Sequence, residues 1–142
     1  MNSASERFPY VLVVEDDLEI AATLREILTE EGYTVAWVCD GDEAFSWIAA
    51  NGPPSLMLLD LMLPRVTGEE FLERRKTMPN LDKIPVIVFT AGPMEAKQAI
   101  ALGAVGFFRK PLDYDAFVAM VKRYFEPRPP ASIEQTLDWK ST

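Results

Sequence analysis

The chain has 142 residues, 49% of them apolar, with one cysteine and no histidine. That length suits one domain with a real core, and the composition excludes a largely disordered chain, an internal disulfide and histidine-based acid/base or metal chemistry. With 22 acidic against 14 basic residues the net charge is −8, which disfavours nucleic acid as a direct partner because phosphate binding needs a basic patch.

Residues 1–7 are polar, lack an apolar signal core and read as a flexible N-terminus. No later run reaches the roughly 18–20 apolar residues of a membrane span, so the expected location is cytoplasmic. Val11-Leu12-Val13-Val14 is a short β-branched run that stops at Glu15-Asp16, the pattern of a strand buried on both faces. Leu18 to Glu31 follows as a helix, with Ile20, Leu24, Ile27 and Leu28 as its apolar stripe and Gly32 closing it. Asp17 reads as the cap of that helix. Tyr33 to Val38 is a weaker strand, and Cys39 reads as a small core residue at its end. Asp40, with Glu43 three residues on, starts a second helix that buries Ala44, Phe45, Trp47 and Ile48. Asn51-Gly52-Pro53-Pro54 ends it.

Ser55 to Asp60 is the third strand. Thr67-Gly68-Glu69-Glu70 caps a third helix, anchored by Phe71 and Leu72. Pro85 opens the fourth strand, which stops at Thr90. Pro93 suits the first turn of a short helix ending at Gly103. The fifth strand ends at Arg109-Lys110-Pro111, and Asp113 caps a last helix with Phe117, Met120, Val121, Tyr124 and Phe125 as its stripe. Strands alternating with helices predict a doubly wound parallel sheet with helices on both faces, filling residues 8–126. Residues 127–142 begin Pro-rich and read as a tail or linker.

Parallel strands bring their C-terminal ends to one edge, where open α/β sheets keep their sites. Glu15, Asp16, Asp60, Thr90 and Lys110 would converge there. Three carboxylates cannot all stay ionised in one crevice without a cation. Oxygen ligands with room for water and phosphate suit Mg²⁺. A carboxylate beside a divalent cation, an ammonium and a hydroxyl is a plausible nucleophile for phosphoryl transfer. No glycine-rich phosphate loop is present, so bound nucleotide is not indicated. Each residue taken alone has a plainer reading, as helix cap, loop residue or solvated lysine. Their joint position at separate strand ends carries the argument.

The motifs Val13-Val14-Glu15-Asp16-Asp17, Leu58-Leu59-Asp60-Leu61-Met62-Leu63-Pro64 with Gly68, Val88-Phe89-Thr90-Ala91 and Phe107-Phe108-Arg109-Lys110-Pro111 stand in this order. Together they resemble the receiver domain of two-component response regulators, the family that includes the chemotaxis regulator, over residues 8–126. The resemblance implies a flavodoxin-like (βα)5 fold with strand order 2-1-3-4-5. It implies that Asp60 accepts a phosphoryl group from a sensor histidine kinase or histidine phosphotransfer protein. Asp16, Asp60 and the Met62 carbonyl would hold Mg²⁺, with Glu15 acting through a coordinated water. Lys110 would pair with the phosphoryl oxygens. Thr90 and the aromatic Phe107 would form the switch that alters a binding face for a downstream protein, and the Lys110-Pro111 peptide would be cis. Such a protein is a phosphoacceptor with self-catalysed phosphorylation and dephosphorylation, not an enzyme acting on other substrates.

Two positions that tune hydrolysis in the family are here Met62 and Gly92, which suggest an acyl phosphate of intermediate lifetime. The stretch from Thr90 to Lys110 is shorter than in the chemotaxis regulator, which leaves the output face, and any homodimer formed through it, open. A stand-alone receiver is the first expectation. The alternatives are a receiver excised from a larger transcription factor or hybrid kinase, a pseudo-receiver that never carries phosphate, and an aspartate-nucleophile phosphatase. The last wants an acid two residues after the nucleophile, where this chain has Met62.

Overall fold

The computed structural model describes residues 9–126. The expectations for residues 1–8 and 127–142 lie outside them. Five strands alternate with five helices: β1 Val11–Val14, α1 Leu18–Glu30, β2 Val35–Val38, α2 Gly41–Asn51, β3 Leu56–Asp60, α3 Gly68–Arg75, β4 Val86–Thr90, α4 Ala96–Ala101, β5 Gly106–Arg109 and α5 Tyr114–Tyr124. All strand pairs are parallel, in the order β2-β1-β3-β4-β5. The fold is the expected doubly wound, flavodoxin-like sheet.

Side chains alternate across the central strands because successive Cβ atoms point to opposite faces. Leu12, Val14, Met57, Leu59, Val86 and Val88 face α2, α3 and α4 through Ala44, Ile48, Phe71, Leu72 and Ala99. Val11, Val13, Leu56, Leu58, Ile87 and Phe89 face α1 and α5 through Leu24, Leu28, Phe117 and Val121. Both faces are covered, which is why β1, β3 and β4 read as unbroken apolar runs.

The helix ends follow local chemistry. Asp17 accepts from the amides of Glu19 and Ile20 at the start of α1, and Gly32 leaves it at φ 101°. Thr67 and Glu70 form a complete capping box on α3. Asp40 caps α2 through the Glu43 amide, but the Glu43 carboxylate accepts from Cys39, one residue earlier than a capping box requires. Cys39 itself is half-buried just past β2 and is no core residue.

Two further details depart from expectation, and a third was not foreseen. Helix α4 begins at Ala96, after Pro93 instead of around it, with the Glu95 amide donating to Gln98 Oε1 at 2.8 Å. The carbonyls on either side of Pro93, those of Gly92 and Met94, accept from the Arg109 guanidinium and are withheld from a helix. Tyr124, expected in the stripe of α5, is 40% exposed. Arg75, the last residue of α3, is buried, and its guanidinium donates to the carbonyls of Leu81, Asp82 and Gly103 at 3.0–3.1 Å. A charged group is stable there because backbone oxygens replace its water.

Candidate functional site

The C-terminal ends of β1, β3, β4 and β5 form the edge predicted for the site. Asp60 is the last residue of β3 and Thr90 the last of β4. Glu15 follows β1, its amide bonded to the Val38 carbonyl at 3.1 Å. Lys110 follows β5, its amide bonded to the Thr90 carbonyl at 3.0 Å. Neighbouring strands lie about 4.8 Å apart, so β5 is two spacings from β3, and only a long side chain bridges the gap. Lys110 does so, passing over the Phe89 ring with Nζ 5.4 Å from its centroid.

The Lys110 ammonium donates to Glu15 Oε1 at 2.9 Å and to Asp60 Oδ2 at 3.0 Å. The other oxygen of each acid is held by backbone: Glu15 Oε2 accepts from Asp17 N–H at 2.9 Å, and Asp60 Oδ1 from Met62 N–H at 3.0 Å. Glu15 and Asp60 are buried, Asp16 is exposed, and ligand oxygens of all three lie within 4.8 Å of one another. Burial pushes the Glu15 carboxyl up from its ordinary 4.5 to about 7. Its bonds to Asp17 and Lys110 oppose the shift and the Asp60 charge adds to it. Burial works against the Lys110 ammonium too, but its bonds to Glu15 and Asp60 prevail and raise its pKa.

Three carboxylates facing one ammonium are under-neutralised, and the donors are hard oxygens. Exposed Asp16 leaves one side open to water and to a further ligand. That donor set fits a small divalent cation that retains water, with Mg²⁺ as the match.

Thr90 is buried, and its hydroxyl accepts from the Gly92 amide at 2.9 Å. Phe107 is half-buried on the α4 side, with the Arg109 guanidinium carbon 5.2 Å from its ring centroid. Met62 is 58% exposed. Gly92 is less open than its lack of a side chain suggests, since a Cβ there would stand 2.6 Å from Met62 Sδ and 3.2 Å from the Thr90 hydroxyl. The Lys110-Pro111 peptide is cis.

Several contacts were not anticipated. The Trp37 indole donates to the Glu15 carbonyl at 2.7 Å and pins the acidic loop to β2. Arg65, exposed and at φ 60°, pairs with buried Asp40, while Val66 packs on Gly41. The loop after Asp60 is thereby tied to the start of α2. Arg109 lies two residues beyond Phe107 in β5, so strand periodicity alone places both on one face. Nothing in the sequence marks the Trp37 or Arg65 contacts, because both partners come from distant segments.

Among the described residues no helix is long and apolar enough to cross a membrane. The sheet order and the carboxylate–ammonium centre define a doubly wound α/β domain with a candidate site at its C-terminal edge. The family model for the response regulator receiver domain matches residues 11–122, and the chain belongs to that family, the receiver domains of two-component systems. Sporulation initiation phosphotransferase F of Bacillus subtilis is 34% identical over 116 residues, covering 80% of this chain and 91% of that protein. The phosphate regulon transcriptional regulatory protein PhoB of Rhizobium meliloti is 32% identical over 131 residues, covering 91% of this chain but 57% of that protein. The chain thus spans little more than half of some relatives it matches. Among solved structures, the signal receiver domain of a signal transduction histidine kinase from Syntrophus aciditrophicus superposes with a TM-score of 0.74 at 30% identity, covering 82% of this chain and 89% of that one. The chemotaxis protein CheY4 of Vibrio cholerae has the same fold, with a TM-score of 0.74 at 24% identity over 83% of this chain and 99% of that one.

Proposed function

We propose that Asp60 is the phosphoacceptor of this receiver. The observation that carries the reading is the pair of bonds from Lys110 to Asp60 and Glu15 at 2.9–3.0 Å, on a carboxylate whose second oxygen is held by the Met62 amide. An Asp60 oxygen attacks the phosphorus of a phosphohistidine on a sensor kinase or phosphotransfer protein. The P–O bond forms, the P–N bond breaks, and the imidazole leaves with the electron pair. Asp16, Asp60 and the Met62 carbonyl would hold Mg²⁺, with Glu15 reaching it through water. A bound divalent cation supplies charge neutralisation on the transferring oxygens.

Within that site Lys110 balances the charge that builds on the phosphoryl oxygens. Thr90 donates its hydroxyl to the bound group. Its motion, with an inward turn of Phe107, changes the face read by a downstream protein. The protein catalyses its own phosphorylation and, with water as nucleophile, its own dephosphorylation. The relatives named as transcriptional regulators and as a phosphotransferase leave two kinds of output in view, a further domain on the same protein or a protein partner.

The test is incubation with acetyl phosphate, with and without Mg²⁺, followed by intact mass. Wild type should gain one phosphoryl group only with Mg²⁺, and Asp60→Asn should gain none. A wild-type protein that stays unmodified in both conditions is a pseudo-receiver, and the reading fails.

A further inference from the structure

The five residues from Ala91 to Glu95 join Thr90 to α4, and both polar groups of one of them are occupied. The Gly92 amide donates to the Thr90 hydroxyl at 2.9 Å, and the Gly92 carbonyl accepts from Arg109 Nη1 at 2.5 Å. Arg109 Nη2 donates to the Met94 carbonyl at 2.7 Å. The same guanidinium lies over the Phe107 ring. One side chain therefore touches Phe107 directly and reaches Thr90 through Gly92. Lysine could not do this as well, because a planar fork serves two carbonyls and an aromatic face at once.

We propose that Arg109 is a positioning residue for the switch: its guanidinium holds the Gly92 and Met94 carbonyls and covers Phe107, and so keeps Thr90 and Phe107 in their resting arrangement. The inference rests on the Thr90/Phe107 reading above and adds what sets its threshold. Thr90 cannot shift toward Asp60 without either giving up the Gly92 amide or drawing Gly92 with it. Drawing Gly92 away strains the Arg109 bonds. An inward turn of Phe107 removes the ring from beneath the guanidinium. Moving Thr90 together with Gly92, or turning Phe107 inward, thus breaks a contact that Arg109 makes here, and ligand affinity falls by the fraction of molecules in the competent state. A cleft of about 440 Å³, walled by Met62, Thr90, Pro93 and Met94 among others, leaves the loop room to move.

Arg109 is exposed, so water competes for its bonds. Removing it should shift the equilibrium by about three- to tenfold, the size of one or two net hydrogen bonds. Calorimetric titration of Mg²⁺-saturated protein with beryllofluoride, a phosphoryl mimic, measures this. Arg109→Gln should bind about three- to tenfold more tightly than wild type, and Arg109→Lys should fall between them. Mg²⁺ affinity without beryllofluoride should stay at the wild-type value, which a general loosening of the site would not allow. Equal or weaker beryllofluoride binding by Arg109→Gln, with wild-type affinity for Mg²⁺, overturns the inference and leaves the phosphoacceptor reading standing. A wild-type protein that takes no beryllofluoride overturns both.

Discussion

Lys110 and Glu15 make a pair whose protonation depends on what else is in the site. Glu15 titrates near 7 against an ordinary 4.5 because it is buried. In the metal-free protein the folded state therefore holds a proton that the unfolded chain has already released between those values. The stabilisation tied to that proton is complete below the unfolded pKa and is lost as pH rises through about 7. Lys110, its pKa raised, stays charged throughout this window and does not offset the loss. Urea unfolding in chelator should show stability falling by about 2–3 kcal/mol between pH 5 and pH 8, and Glu15→Gln should flatten the slope. Met62 poses the other residue-scale question. Its sulfur packs toward Gly92, so Met62→Asn would uncover the approach to Asp60 and supply a polar group for water. Decay of the phosphorylated protein should accelerate several-fold, followed by loss of the phosphorylated mass over time.

Elements were legible where their signals are local. Thr67 and Glu70 sit three apart and form the box that their spacing foretold. Thr67→Ala should cost about 1 kcal/mol, read as a lower urea midpoint at unchanged slope. The beginning of α4 was not legible, because the residue that withholds Gly92 and Met94 from the helix comes from β5. Arg75 was invisible for the same reason. As the last residue of α3 in a run of charged residues it reads as solvated, yet it ties the loop after α3 to the Gly103 carbonyl. Gly103, at φ 104°, has a Cβ position 2.9 Å from Arg75 Nη2. Arg75→Leu leaves the Asp82 and Gly103 carbonyls without this donor, while Leu81 keeps the Ile84 amide, and should cost about 3 kcal/mol, with the same urea measurement as the check.

For the whole molecule, alternation of strand and helix was enough to predict a parallel sheet covered on both faces, since each run is apolar on both sides. Strand order was not derivable that way and came from the family's motifs. The site was legible because its residues sit at strand ends, one after another, and the topology does the gathering. Its support was not: Trp37 on the Glu15 carbonyl and Arg65 on Asp40 join segments far apart in sequence. A cation that binds only the gathered site also stabilises the whole fold. Thermal unfolding in rising Mg²⁺ should climb toward about 2.7 kcal/mol of added stability at a hundred times the dissociation constant. Asp16→Asn and Asp60→Asn should each remove most of that gain.

The contact between Tyr33 and Phe125 bears on how far the message travels. The Tyr33 hydroxyl donates to the Phe125 carbonyl and the two rings lie 5.2 Å apart, while Lys122 pairs with Glu31 at 2.7 Å. These bonds moor the foot of α5 at the entrance of β2, the end of the sheet opposite Asp60. The carboxylate–ammonium centre thus lies on one rim, and Glu126 leaves from the other. Any message meant for what lies past Glu126 has to cross the thickness of the domain, and α5 is the strut already anchored at the far side.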